Sequence, residues 1–341
     1  MRAVVAREGR LVVEEIAEPS PAAGQVLARP VHCGICGSDL HALQMQAASP
    51  ADMPAQVYGH EFCAELLDYG PETDRRIPLG SLVCSVPIVV TPTGLESVGY
   101  SQVLPGGYSE QIVLQESRLL KVPAGLSAAH AALTEPLAVG VHAVERARLQ
   151  RDDVPLVIGC GPVGLSVISG LKVAGIGPIV AADFSPARRR LAELAGADVV
   201  IDPASTSPYT SWAELTGEPM MPSVLWSGAE HPRTVVFECV GVPGMIDKIV
   251  EQVPVHTRVV VVGVCMVPDT FTPLNAILKE VSLTFVLAYT PAEFERSLHL
   301  IADGKVNVDP WITARVGLDE VARAFRDLGN PEQHCKILVT P

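Results

Sequence analysis

Over the first 130 residues, short apolar runs alternate with turn residues. Leu11-Val12-Val13, Val26-Leu27-Ala28 and Gln111-Ile112-Val113-Leu114 are separated by stretches broken by proline and glycine. Such spacing predicts a β-rich region. From residue 150 to 290 the rhythm changes. Val157-Ile158, Ile179-Val180-Ala181-Ala182, Val199-Val200-Ile201, Val235-Val236-Phe237 and Val259-Val260-Val261-Val262 stand between stretches of helical pattern. Strands separated by helices predict βαβ units and a parallel sheet covered on both faces. A helix is expected over 134–149, where Leu137, Val141, Val144 and Leu149 recur near helical spacing. Two more are expected over 291–302 and 318–328, and a closing strand over 336–339. The fold class is therefore α/β, with a parallel sheet over about 150–290 after a β-leaning region over 1–130, and a mixed pattern in the last fifty residues.

The chain has 341 residues, of which 48% are hydrophobic and 18% charged. That length suggests about two domains, and the composition supplies a packed core rather than a disordered chain. Asp plus Glu outnumber Lys plus Arg by 38 to 25, a formal charge of −13. A chain this acidic repels phosphate backbones and anionic lipid, so neither nucleic acid nor membrane is an expected partner. Eight cysteines in this length make no disulfide framework, and Glu8, Glu14 and Glu15 interrupt any signal-peptide core. A reduced, cytoplasmic protein is expected. Residues 154–171 carry no charge, but Pro155, Gly159, Gly161, Pro162, Gly164 and Gly170 make them a buried strand, turn and helix rather than a membrane span. Residues 203–233 are polar and proline-rich, and are expected to form a connecting excursion with one short helix.

Gly159-Cys160-Gly161-Pro162-Val163-Gly164 follows an apolar strand and opens an apolar helix. In that context the spacing points to a dinucleotide. The first glycine permits the tight turn, the second admits the diphosphate, and the third lets helix pack on strand. The helix N-terminus supplies N–H donors and partial positive charge. Asp183 ends the next strand, nineteen positions after Gly164. A carboxylate there accepts ribose hydroxyls and repels a 2′-phosphate, which favours NAD over NADP. Arg188, Arg189 and Arg190 follow, with Arg189 and Glu193 spaced for an i,i+4 pair on a solvent face. Arg188 is kept as a cofactor-binding candidate.

Three separated pieces carry metal-type ligands: Cys33-Gly34-Ile35-Cys36-Gly37-Ser38-Asp39-Leu40-His41, Gly59-His60-Glu61 and Thr134-Glu135-Pro136. A Cys-x-x-Cys alone serves a redox pair or half a zinc knuckle, and the chain has no second Cys-x-x-Cys. Cysteine, histidine and carboxylate from separate loops suit an open catalytic zinc site rather than a closed structural one.

CGICGSDLH, GHEF, TEPLAVGVHA, VIGCGPVGL and DPWITARVGLDEVARAF together resemble the zinc-dependent medium-chain dehydrogenases, in that family's order and over nearly the whole chain. The resemblance implies a β-rich GroES-like catalytic domain over 1–148 and 290–341, a doubly wound Rossmann domain over 149–289, one catalytic Zn2+ and NAD. It makes Cys36, His60 and Glu135 zinc ligands, with Glu61 able to swing toward the metal and Cys33 a non-ligand. Ser38 takes the substrate proton and passes it through the cofactor ribose to His41, while Asp39 orients His60. Gly159, Gly161, Pro162, Val163, Gly164, Asp183, Arg188, Val240, Val262 and Gly263 form the expected cofactor set. The implied reaction moves a hydride between a secondary alcohol or ketone and the nicotinamide. A metal that brings an alcohol from a pKa of roughly 16 toward about 7 supplies on the order of 12 kcal/mol.

Two departures matter. The family's four-cysteine lobe should fall between Val83 and Gly107, where only Cys84 stands, so no structural zinc is expected. Ala288 replaces an arginine common in polyol-type relatives, and Leu43, Met45, Met53 and Val57 between the ligands are apolar. An apolar or cyclic secondary alcohol is therefore expected rather than a sugar phosphate. The apolar run 281–288 is an expected edge strand, inviting a homodimer or homotetramer. Two other readings compete: a zinc-free reductase of activated C=C bonds, and a non-catalytic NAD-binding sensor.

Overall fold

The computed structural model describes residues 1–49, 54–217 and 233–341. Met53 and residues 218–232 of the expected excursion lie outside the described residues. The chain forms two compact units, Met1–Glu135 with Phe294–Pro341, and Pro136–Glu293. These divisions stand at 135/136 and 293/294, against the expected 148/149 and 289/290. The first falls inside the helix Thr134–Arg146.

The first unit is built on a seven-stranded sheet. Its path runs Leu119–Lys121, Leu82–Ser85, Glu61–Tyr69, Gln25–Gly34, Lys336–Thr340 and Ile312–Gly317, and Ile112–Gln115 pairs with Gln25–Gly34. Apolar residues such as Val26, Ala28, Leu66, Ile112 and Leu114 alternate into its buried core, joined by Phe325. Register decides what this sheet brings together. Gly34 lies opposite Glu61, and also opposite Leu338 on its other side. The end of the Cys33–Cys36 segment, the His60-Glu61 pair and the closing strand are thereby set side by side. The stretch that should hold the four-cysteine lobe contains a short hairpin, Ile88–Thr91 with Gly94–Ser97. The expected helix 318–328 divides into a 3-10 turn, Leu318–Glu320, and a helix, Val321–Asp327.

The second unit is a parallel six-stranded sheet. Its spatial order is Val199–Ile201, Val180–Ala182, Val154–Ile158, Thr234–Glu238, Arg258–Val261 and Ser282–Phe285. In order of sequence these are strands 3-2-1-4-5-6, the doubly wound Rossmann arrangement, whose ligands lie at the carboxyl ends of the strands. The uncharged run 154–171 is the central strand followed by the helix Pro162–Ala174. Among the described residues no helix is long and apolar enough to cross a membrane. Within the excursion, Pro208–Thr216 is helical. Its fully buried Trp212 donates its indole N–H to the Val154 carbonyl at 2.8 Å.

Candidate functional site

Cys36 precedes the helix Gly37–Ala48, and Asp39 in the first turn accepts the Cys36 backbone N–H at 3.0 Å. This bond fixes the thiol at the helix start. His60 stands just before the strand Glu61–Tyr69. Donor atoms of Cys36, His60 and Glu61 lie within 4.8 Å of one another, and His60 and Glu61 are buried. Asp39 is fully buried, and its Oδ1 is 3.4 Å from His60 Nδ1, longer than a well-formed hydrogen bond. Its other oxygen accepts the Tyr108 hydroxyl at 2.7 Å. Asp39 therefore faces Nδ1, which leaves Nε2 as the ring nitrogen for a metal. Burial opposes charge on His60, yet Asp39 and Cys36 carry it well above the ordinary histidine range. Burial likewise opposes the Asp39 carboxylate, but His60 and the hydrogen bonds hold it below its usual value. A thiol, an imidazole and carboxylates in one buried, electron-rich cluster form a donor set suited to Zn2+.

Glu61 has a partner the sequence does not announce. Both its oxygens lie 2.7 Å from Lys336 Nζ, which also donates to the Ile35 carbonyl at 2.9 Å. Side-chain exposure is 2% for Lys336 and 1% for Glu61. Burial lowers the affinity of Lys336 for its proton, but Glu61 and Cys36 outweigh it and the net shift is upward. Gly34 makes this geometry possible: a Cβ there would sit 2.0 Å from Glu61 Oε2.

Glu135 lies outside the 4.8 Å cluster, at the start of the helix Thr134–Arg146, although its charge reaches Tyr100 beside His60. Cys33 is fully buried, its thiol pushed up by burial, and it too lies outside the cluster. Ser38 is half-buried in the first turn of the helix, and accepts a hydrogen bond from the Tyr100 hydroxyl at 2.7 Å. His41 is half-buried one turn further on. Leu43 and Met45 lie on this helix, and Val57 in the strand Gln56–Val57.

In the second unit Gly159 takes φ +90°, and a Cβ there would press on Val240 at 2.8 Å. A Cβ on Gly164 would stand 1.9 Å from the Gly159 carbonyl oxygen. Gly161 differs: its Cβ would meet nothing closer than Arg188 at 3.9 Å. No contact within the chain demands glycine there, as expected where a diphosphate approaches the backbone. Pro162 and Val163 open the helix that follows. Asp183 accepts the N–H groups of Cys160 and Ser185, each at 2.8 Å.

The expected solvent face of arginines is corrected. Arg189 pairs with Asp202 at 3.2 Å, not with Glu193, and donates to the carbonyls of Asp183 and Phe184. Arg188 leans over the glycine turn with Nε buried and no hydrogen-bond partner among the described residues, and of the three arginines only Arg190 is exposed. The signal was present in sequence, since Asp202 also follows an apolar strand and competes for Arg189. Val240 follows the fourth strand, and Val262-Gly263 the fifth. Glu238 holds both turns: its side chain accepts the N–H groups of Val240 and Gly241, and its carbonyl accepts those of Val262 and Gly263. A cavity of about 310 Å³ opens at the ends of the strands Val154–Ile158 and Val180–Ala182, lined by Ile158, Ala182, Phe184, Pro203, Tyr209 and Met245 among others.

Residues 22–124 match the alcohol dehydrogenase GroES-like domain, and residues 162–303 match the zinc-binding dehydrogenase domain. The chain is 32% identical to (R,R)-butanediol dehydrogenase of Bacillus subtilis, covering 96% of each protein. It is 31% identical to (R,R)-butanediol dehydrogenase of Neisseria gonorrhoeae, covering 98% of this chain and 97% of that one. The crystal structure of 2R,3R-butanediol dehydrogenase from Bacillus subtilis superposes with a TM-score of 0.84 at 29% identity, covering 100% of this chain and 99% of that one.

Proposed function

Because the chain belongs to the zinc-dependent alcohol dehydrogenase family, we propose that it interconverts a short secondary alcohol and its ketone with NAD(H), and that a neighbouring hydroxyl on the substrate is tolerated or preferred. The enzyme is an oxidoreductase acting on CH–OH groups, with zinc and NAD as cofactors. That two relatives are named butanediol dehydrogenases supports a short diol rather than a cyclic alcohol as the substrate of this chain. One observation carries the site assignment: half-buried Cys36 and buried His60 and Glu61 converge, their donor atoms within 4.8 Å of one another.

Cys36 and His60 would hold the zinc. Glu61 stays with Lys336, because leaving would strand a buried ammonium. The third ligand would then be Glu135, which with Asp39 is a carboxylate whose charge is felt at Tyr100 beside His60. Bound zinc would supply Lewis-acid polarisation of the alcohol oxygen and NAD would be the hydride acceptor. Asp39 sets the His60 ring through Nδ1, and Ser38 takes the proton of the reacting hydroxyl and passes it toward His41.

The second unit would bind the dinucleotide: the N-terminus of helix Pro162–Ala174 at Gly161 would hold the diphosphate, Asp183 the adenosine ribose, and the cavity beside Phe184 the adenine. Arg188, Val240, Val262 and Gly263 complete this site. Asp183→Ala is expected to narrow the NAD over NADP preference by about 10–100-fold, the worth of a hydrogen bond to a charged group. Measured kcat/KM for the two cofactors checks this, and an unchanged ratio places discrimination elsewhere.

The last strand of the parallel sheet, Ser282–Phe285, has an open edge, and Phe285, Leu287 and Ile277 are 65%, 84% and 69% exposed. A second copy of the chain covers this face in the proposed homodimer. Among the described residues no two cysteines form a disulfide, which suits a cytoplasmic setting. The reaction is tested by supplying zinc, NAD+ and a panel of secondary alcohols, and following NADH absorbance. Turnover of 2-butanol or 2,3-butanediol supports the reading. Zinc bound without turnover of any alcohol or ketone overturns it.

A further inference from the structure

Tyr100 stands beside the Cys36–His60 pair with no part in holding metal. Its ring lies 5.1 Å from the His60 ring at a 34° tilt, and 6.4 Å from Tyr58. Its phenol O–H donates to Ser38 Oγ at 2.7 Å. Tyr100 Oη can therefore only accept a further hydrogen bond. Ser38 Oγ, having accepted one, keeps a second acceptor position and its own proton.

We infer that Tyr100 determines specificity: Ser38 Oγ and Tyr100 Oη form two acceptors, one hydrogen bond apart, that receive the two oxygens of a secondary alcohol bearing a hydroxyl on the adjacent carbon. The inference rests on the proposed role of Ser38. Gauche oxygens on neighbouring carbons are separated by about the length of an O–H···O bond. The reacting hydroxyl donates to Ser38 and its neighbour donates to Tyr100. In the reverse direction the ketone oxygen accepts the Ser38 proton, while the adjacent hydroxyl keeps its bond to Tyr100. A mono-alcohol satisfies Ser38 alone and leaves Tyr100 Oη without its second bond. The tyrosine ring serves both substrates as a wall beside His60.

Tyr100→Phe removes one oxygen and keeps the ring. The test compares kcat/KM for 2,3-butanediol and 2-butanol, with NAD+ and zinc, in wild type and variant. The ratio of the two is independent of the active fraction, so a partly folded preparation still reports. The expected result is a diol preference in the wild type that falls about tenfold in the variant, chiefly through a higher KM for the diol, the worth of one neutral hydrogen bond. An unchanged ratio overturns the inference, whether both activities fall together or neither moves, and leaves the secondary-alcohol reading intact. A wild type that oxidises neither alcohol contradicts that reading and the inference with it.

Discussion

Replacing Cys36 by serine is expected to abolish zinc binding and leave less than about a thousandth of the dehydrogenase activity, while NAD affinity survives. The ion is asked to supply on the order of 12 kcal/mol toward ionising the alcohol, so its loss removes most of the catalysis. A serine hydroxyl is a harder and, at neutral pH, uncharged ligand, a poor replacement for thiolate. The dinucleotide residues Gly159, Gly161, Gly164 and Asp183 all belong to the other compact unit. Metal analysis with NADH-binding titration checks both halves. Retained zinc with full activity would remove Cys36 from the site, and loss of NAD affinity would mean the two sites are misassigned.

The second large effect concerns stability. Lys336→Met is expected to destabilise the first unit by about 3–5 kcal/mol, because it strands the Glu61 carboxylate in a buried site. For a unit of this size that lowers the melting midpoint by about 10 °C. Lys336→Met combined with Glu61→Gln removes both charges and is expected to recover most of the loss. Thermal melts of the single and double variants decide. A Lys336→Met protein as stable as wild type, or a double variant no better than the single one, would show that the pair does not act as a unit.

The parallel sheet was legible because its cause is local. Each apolar run between 154 and 285 is bounded by turn residues, and the glycine motif needs only neighbours in sequence. Cys36 and His60 were legible as a pair of short motifs. Lys336 was not. It opens an apolar strand and reads as the strand's solvent end, yet it lies 275 positions from the carboxylate it neutralises. The only local sign was a lysine abutting three apolar residues, Ile337, Leu338 and Val339, all of them buried in the fold. Tyr100 was hidden for a related reason. It sits in the stretch recognised chiefly for the cysteines it lacks, and only the fold brings its hydroxyl to Ser38, 62 positions away. Arg189 was assigned to Glu193 by helical spacing, but Asp202 offered a partner that spacing cannot see. The helix 318–328 broke because Glu320 turns back to the Gly317 N–H, starting a 3-10 turn before the helix proper.

The central claim is that Cys36 and His60 hold one divalent ion. Anomalous diffraction from crystals of the zinc-loaded protein, collected at the zinc absorption edge, tests it most directly. The expected map has one peak in the first unit, about 2.3 Å from the Cys36 sulfur and about 2.0 Å from a His60 nitrogen, with Glu135 as the third protein ligand. A map with no peak beside Cys36 and His60, in protein that oxidises secondary alcohols, would contradict the account.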